Sequence, residues 1–143
     1  MNNPIYNPAT GQFTRDGERC DWVSDGAAWV YWDGRRTSAH RAAWFSMHGE
    51  WPSEIDHVNR DQRDNRSCNL RRSTRQQNNF NRSKFSTNKS GEKGVLFDRA
   101  NNRWQVRVFA RPIKFYANAS SKTSAILAAR LVRRELHGEF ACE

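Results

Sequence analysis

The sequence predicts an α+β protein in two small parts. The first holds a hairpin, a helix and a strand–loop–strand–helix unit. The second is a three-stranded antiparallel sheet packed on one helix. Three stretches carry this expectation. Arg103 to Phe109 alternates strictly between polar and apolar residues, the period of a half-buried strand. Trp29-Val30-Tyr31-Trp32, then Asp33-Gly34, then Arg35-Arg36-Thr37 reads as a hairpin around an Asp-Gly turn. From Ser121 to Leu136 the apolar residues Ala125, Ala129, Val132 and Leu136 fall on one helical face, and Gly138 follows as a natural stop.

The other elements follow in chain order. Gln12-Phe13-Thr14 is extended and is expected to pair with the hairpin. Ser38 to Met47 is predicted helical, with Ser38 as N-cap and Ala43, Trp44 and Met47 on one face; Gly49 and Pro52 end it. Ile55 to Val58 is a short strand, Asn59 to Ser67 a polar loop, and Asn69 to Arg72 a second strand. Thr74 with Gln77 forms a capping box that opens a helix carrying Asn78 and Asn79. The second half of the polar run Asn78–Gly91 reads as a linker, which divides the chain into 1–82, 83–91 and 92–143. Beyond it, Gly94–Asp98 and Ile113–Tyr116 flank the alternating strand, with a turn at Asn101-Asn102. His40 and His48 are expected to be structural or solvent-facing, Asn65 a loop polar group, and His137 a cap for the last carbonyls of its helix.

Charge narrows the partners. The chain has 143 residues, with 24 Lys+Arg against 15 Asp+Glu, a net +9. Residues 1–56 hold 5 basic and 8 acidic residues, a net −3; residues 57–143 hold 19 and 7, a net +12. A polyanion is therefore expected to meet the second part of the chain. Six tryptophans and eight phenylalanines supply enough apolar area to exclude a disordered chain. No apolar run approaches about 18 residues, which excludes a membrane helix. Met1-Asn2-Asn3-Pro4 carries no signal-like pattern, so a cytoplasmic protein is expected. Cys20, Cys68 and Cys142 form no Cys-x-x-Cys pair, so no structural zinc is expected and the thiols are expected to be reduced.

The chemistry gathers at Asp56-His57, at Asn69 twelve residues after His57, and at Asn78 nine residues further on. The segment IDHVNRDQRDNRSCNLRRSTRQQNN resembles the HNH nuclease motif in its zinc-free phage and homing-endonuclease form. The lead-ins YNPATGQF and AHRAAWFSMHGEWP are similar to that family as well, and the likeness spans residues 6–82. It implies a ββα-metal core that hydrolyses DNA. By resemblance His57 activates water, Asp56 and Asn78 are metal ligands, and Asn69 bonds across the loop to hold His57. Many members carry a third histidine where Asn78 stands; Asn79 beside it is the competing candidate.

The chemistry suits these residue types. Cutting a phosphodiester needs a base, a cation on the phosphate and a stabilised leaving oxygen. A histidine, with an ordinary pKa of about 6.5, serves as base near neutrality. One carboxylate and one amide oxygen leave room for water and phosphate, the usual way Mg²⁺ (or Mn²⁺) is held. For Nε2 to accept the proton, Nδ1 must donate to a fixed acceptor, expected to be a backbone carbonyl. The arginines Arg60, Arg63, Arg66, Arg71, Arg72 and Arg75 around this site are expected to meet the DNA backbone.

NKSGEKGVLFDRANNRWQVRVFARPIKF, followed by AILAARLVRRELHGEFA, resembles the ERF/APETALA-type DNA-binding domain over residues 88–141. Alternation places Trp104, Val106 and Val108 on the helix side and Arg103, Gln105 and Arg107 outward. Such a row can lie in the major groove, where Arg reads guanine and Gln reads adenine. Lys93, Arg99 and Lys114 would add contacts. The function expected is a metal-dependent endonuclease on double-stranded DNA, making a nick or a double-strand break. It would be phage-encoded and homing-type, a monomer or a homodimer. The alternative is a DNA-binding regulatory or packaging protein with an inactive nuclease site.

Overall fold

The structure is a computed structural model that describes residues 2–142. It divides into two units, the first ending at Asn78 and the second beginning at Asn79.

The first unit opens with β1 (Ile5–Tyr6), β2 (Phe13–Arg15) and β3 (Glu18–Arg19), a small antiparallel sheet in that order. The expected pairing of the Phe13 segment with the hairpin does not occur. Asp16-Gly17 is itself a tight turn, with both φ angles positive, and folds β2 back on β3. Phe13 reaches the hairpin through its ring instead: fully buried, it meets Trp32 edge-on at 6.3 Å.

A second sheet runs β4 (Trp22–Ser24), β5 (Ala27–Trp32) and β6 (Arg35–Ser38). Asp25-Gly26 and Asp33-Gly34 make its two turns, again with positive φ throughout. Asp-Gly supplies this geometry because an aspartate tolerates the left-handed region and glycine adopts it without strain. β5 turns Ala28, Val30 and Trp32 into the core, where they meet α1 (Ala39–His48) through Ala39, Ala42 and Ala43. Ser38 stands at the N-cap, but its side chain makes no capping bond. Gly49, at φ 72°, ends the helix by donating to Phe45 O.

β7 (Glu54–His57) pairs antiparallel with β8 (Leu70–Ser73), and α2 (Arg75–Asn81) follows. The capping box is present: Thr74 N–H donates to Gln77 Oε1 at 2.8 Å and Gln77 N–H to Thr74 Oγ1 at 3.2 Å. Ile55 and Leu70 tie this hairpin into the core of the first unit.

The second unit contains β9 (Val95–Asp98), β10 (Arg103–Ala110) and β11 (Ile113–Ala119), in sheet order β11-β10-β9, with α3 (Lys122–His137) packed on one face. Val95, Val106 and Val108 meet Ala125 and Ala129 there, and Trp104 packs at the edge of the cluster. Ser121 caps α3 by accepting from Ser124 N–H.

Residues 83–91 form a loop fastened by its own hydrogen bonds. Lys84 Nζ donates to Gly91 O at 2.9 Å, and Ser90 Oγ to Glu92 O at 2.9 Å. His137 does not cap α3. It is buried, its Nε2 lies 3.2 Å from Phe109 O, and its ring stacks on Phe80 at 3.7 Å. The last turn of α3 faces the sheet rather than solvent, which accounts for the difference. Among the described residues no helix is long and apolar enough to cross a membrane.

Candidate active site

Antiparallel pairing sorts the residues of the β7–β8 hairpin onto two faces, because directly opposed residues share a side. Asp56 opposes Arg71 and Glu54 opposes Ser73 on one face; His57 opposes Leu70 and Ile55 opposes Arg72 on the other.

On the first face Asp56 is 4% exposed, and the Arg71 guanidinium brings Nε and Nη2 to its Oδ2 at 2.8 and 2.7 Å. A buried carboxylate requires such a cation, since an unpaired charge there would cost several kcal/mol (about 3–5 when a partner is removed). Asn78, on α2, arrives on the same side: its Nδ2 donates to Glu54 Oε2 at 3.3 Å and lies 3.5 Å from Ile55 O. α2 thus closes over the Asp56 face, and Glu54 is a carboxylate there that sequence reasoning passed over. Asn79 is exposed and belongs to the second unit.

On the second face His57 is 7% exposed. Its Nε2 lies 3.1 Å from Asn65 Oδ1. The Asn65 amide is oriented by its own nitrogen, which donates to Arg63 O at 3.4 Å, so its oxygen faces the ring. An amide oxygen only accepts. A neutral imidazole that donates to this oxygen carries its proton on Nε2 and its lone pair on Nδ1. That tautomer is the opposite of the one expected from the sequence. Asn69 ties the loop together: its Oδ1 accepts from Asn59 N–H at 2.9 Å and its Nδ2 donates to Asp64 O at 2.7 Å. Asp56 and His57 are consecutive at the end of β7, where the ladder gives way to this loop, so both faces border one strand end.

His40, in the first turn of α1, meets His57 edge-on at 5.2 Å. It is half-buried rather than solvent-facing. Burial, aided by the nearby charges of His57 and Arg41, pushes its pKa down to about 4. The sign follows directly. An imidazole neutral in the fold takes up its proton at a higher pH in the unfolded chain, whose ordinary value is about 6.5, so stability falls as pH drops from about 6.5 towards 4. The loss amounts to about 3 kcal/mol across that window. Melting temperatures measured from pH 7 to pH 4 should show it, and His40→Gln should flatten the curve.

The arginines expected on the DNA backbone are mostly paired within the protein. Arg63 pairs with Asp61 at 2.9 Å, Arg66 with Asp64 at 2.7 Å, Arg71 with Asp56 and Arg72 with Glu50 at 3.0 Å. These are Asp-x-Arg pairs two apart in the loop and cross-element pairs elsewhere. Arg60 and Arg75 are exposed.

In the second unit the outward face of the sheet carries Arg103, Gln105 and Arg107; on β11 Asn118 stands opposite Gln105, Tyr116 opposite Arg107 and Lys114 opposite Phe109. Arg103, Gln105, Arg107, Tyr116 and Asn118 line a depression of about 260 Å³. Gln105 is committed on both ends: its Nε2 donates to Asp98 Oδ2 and its Oε1 accepts from Arg107 Nη2, each at 2.8 Å. In this arrangement its amide is not presented to an adenine edge; it steadies Arg107. Arg99 is exposed near the turn, whereas Lys93 donates to Phe80 O and Arg82 O at 2.7 Å, closing the end of α2.

Among the described residues no group of three or more His, Cys, Asp or Glu comes together to hold a metal ion. A carboxylate and an amide oxygen, the donor types of Asp56 and Asn78, suit a hard divalent ion that keeps water and phosphate in its remaining positions, and Arg71 holds Oδ2 of the carboxylate. No curated protein and no solved structure matches the chain. Residues 38–80, which hold α1, the β7–β8 hairpin with its loop and most of α2, match the family model of HNH endonuclease, and that match supports a nuclease that acts on DNA.

Proposed function

We propose that the protein is a metal-dependent endonuclease that hydrolyses double-stranded DNA. The observation that carries the reading is the end of β7. A buried carboxylate, Asp56, and a buried imidazole, His57, stand there in succession, on a segment that matches the nuclease family model. Asp56 and Asn78 would hold a Mg²⁺ or Mn²⁺ ion, which supplies charge on the phosphate and the leaving oxygen when bound. His57 takes the proton of the attacking water at Nδ1, the nitrogen left with the lone pair by Asn65. Burial of the ring and of Asp56 lowers the local dielectric and strengthens these interactions. The phage and homing-type character rests on the motif spelled by residues 55–79.

The C-terminal unit is the reader in this scheme, a domain of the ERF/APETALA type that follows a short connection. Arg107, steadied by Gln105, presents its guanidinium fork on the outward sheet face, the geometry that pairs with guanine in the major groove, beside Arg103, whose Nε lies 3.6 Å from Asp98 Oδ2. The depression they line is basic and open.

Supercoiled plasmid incubated with the protein should be nicked or linearised with Mg²⁺ and remain intact in EDTA. Asp56→Ala should raise the Mg²⁺ concentration needed for half-maximal rate steeply, since it removes the only anionic ligand assigned. Cleavage that persists in EDTA would overturn the metal assignment. In the same preparation, Arg103→Ala or Arg107→Ala should relax base preference at one position of the bound site, each lost bidentate guanine contact being worth about 1–3 kcal/mol of discrimination.

A further inference from the structure

We infer that the N-terminal strand pair, residues 5–13, is part of the active-site scaffold, and that Asn65 is the residue through which it positions His57. The inference rests on His57 being the base. It is drawn from one contact inside the segment matched by the nuclease family and from those that Tyr6, Pro8 and Gly11 make to it from outside.

Asn65 is 2% exposed and is held from three sides. Its side-chain oxygen faces His57 Nε2 at 3.1 Å. Its backbone carbonyl accepts from the Tyr6 hydroxyl at 2.7 Å, a bond that spans 59 residues of sequence. Next to it, Ser67 N–H donates to Pro8 O at 2.9 Å. Gly11 presses its backbone against Asn65 and Arg66: a Cβ placed there would sit 2.5 Å from Arg66 N and 2.6 Å from Asn65 C, and its φ of +74° already favours glycine. The Tyr6 hydroxyl is itself pushed up to about 12, by burial first and then by the nearby Cys68 and Asp64, so it stays a donor at any working pH.

This arrangement explains why YNPATGQF belongs with the motif. The loop that carries Asn65 is polar and short of apolar anchors: of residues 59–67, only Asn65 is buried. Its own hydrogen bonds aim the amide, but no apolar side chain of the loop anchors it to the rest of the unit. The turn Asn7–Gln12 supplies the missing wall, with Gly11 making the close approach and Tyr6 and Pro8 the hydrogen bonds. Asn65 then fixes which nitrogen of His57 holds the lone pair. A second-sphere partner of this kind commonly carries a factor of about 10–100 in activity.

The test uses the full-length protein labelled with ¹⁵N. Two-bond proton–nitrogen correlations report the His57 tautomer at a pH where the ring is neutral, without any need for cleavage. In the wild type the Nε2–H form should dominate. Asn65→Ala should give mixed tautomers, and plasmid cleavage should lose about tenfold or more in kcat with KM for DNA nearly unchanged. Asn65→Asp, which keeps an acceptor oxygen in place, should restore the tautomer. Tyr6→Phe, which removes one hydroxyl and leaves the ring, should shift the tautomer balance in the same direction as Asn65→Ala, by less. If Asn65→Ala does not fold, the wild-type and Tyr6→Phe spectra decide. A wild-type His57 in the Nδ1–H form overturns the inference, as does a folded Asn65→Ala that cuts at the wild-type rate. Should the wild type show the Nε2–H tautomer yet cut no DNA, the positioning stands and the nuclease reading falls.

Discussion

His57→Ala should abolish cleavage and leave DNA binding nearly intact. The ring is the base of the proposed hydrolysis, and a positioned general base is worth on the order of 10²–10⁴ in rate. The charges expected to bind DNA lie elsewhere, on Arg60, Arg75, Arg99, Arg103 and Arg107, so affinity measured by titration should change little. The substitution empties a buried position next to His40, and His57→Gln controls for that loss by keeping a polar side chain of similar reach. Both variants should be inactive in a plasmid nicking assay while binding duplex DNA at the wild-type salt slope. A variant that nicks within tenfold of the wild type would show that His57 is not the base.

The largest effect on stability is expected at Glu92. Arg133 is 2% exposed and Glu92 is 7% exposed. Arg133 Nη2 bonds Glu92 Oε1 at 2.5 Å, its Nη1 donates to Lys93 O, and Arg130 holds Glu92 Oε2 at 2.8 Å. Burial works to raise the Glu92 pKa, but the hydrogen bonds and charges of Arg133 and Arg130 outweigh it and hold the carboxyl below its ordinary value. This stabilisation is complete above the ordinary glutamate range and is lost as pH falls through the folded value. Removing Glu92 leaves the buried Arg133 guanidinium without its carboxylate, at a cost of about 3–5 kcal/mol, whereas removing Arg133 still leaves Glu92 paired with Arg130. Such a loss is comparable with the whole stability of a unit this small. Glu92→Leu alone should therefore melt the second unit well below the first in a thermal scan. Adding Arg133→Met should recover most of the loss, because a well-packed apolar pair replaces a buried ion pair at little or no cost. A single variant that melts with the wild type would show the pair to be solvated.

Much of the fold is legible in the sequence because local rules and tertiary packing agree. The capping box at Thr74–Gln77, the alternation of β10 and the alanine face of α3 each name their own element. The Asp-Gly turn at 33–34 stands out between two apolar runs. The same dipeptide at 16–17 and 25–26 makes two further turns, but the strands beside them are too short and too polar to show a period. The partner of Phe13 is misjudged from sequence because a buried aromatic contact and a strand ladder look alike there. At the site, the type of residue is legible and its partner is not. Asp56 and His57 stand out by chemistry, but that Arg71 meets Asp56 depends on register, and register follows from the length of the loop between the strands. Asn65 looks like one of many polar loop residues; only the fold shows that it is buried. The place of His137 at the end of its helix suggests a cap, while its actual partners Phe109 and Phe80 are distant in sequence.

The close approach of Gly11 to the Asn65–Arg66 backbone has a consequence for modularity. The segment that carries the nuclease signature runs from residue 38 to residue 80, but the wall behind its loop is built by residues that come more than two dozen positions earlier. A graft of the signature segment onto another scaffold would transplant the reactive side chains and leave behind their abutment. The smallest transferable piece starts before β1, and position 11 in it admits no side chain.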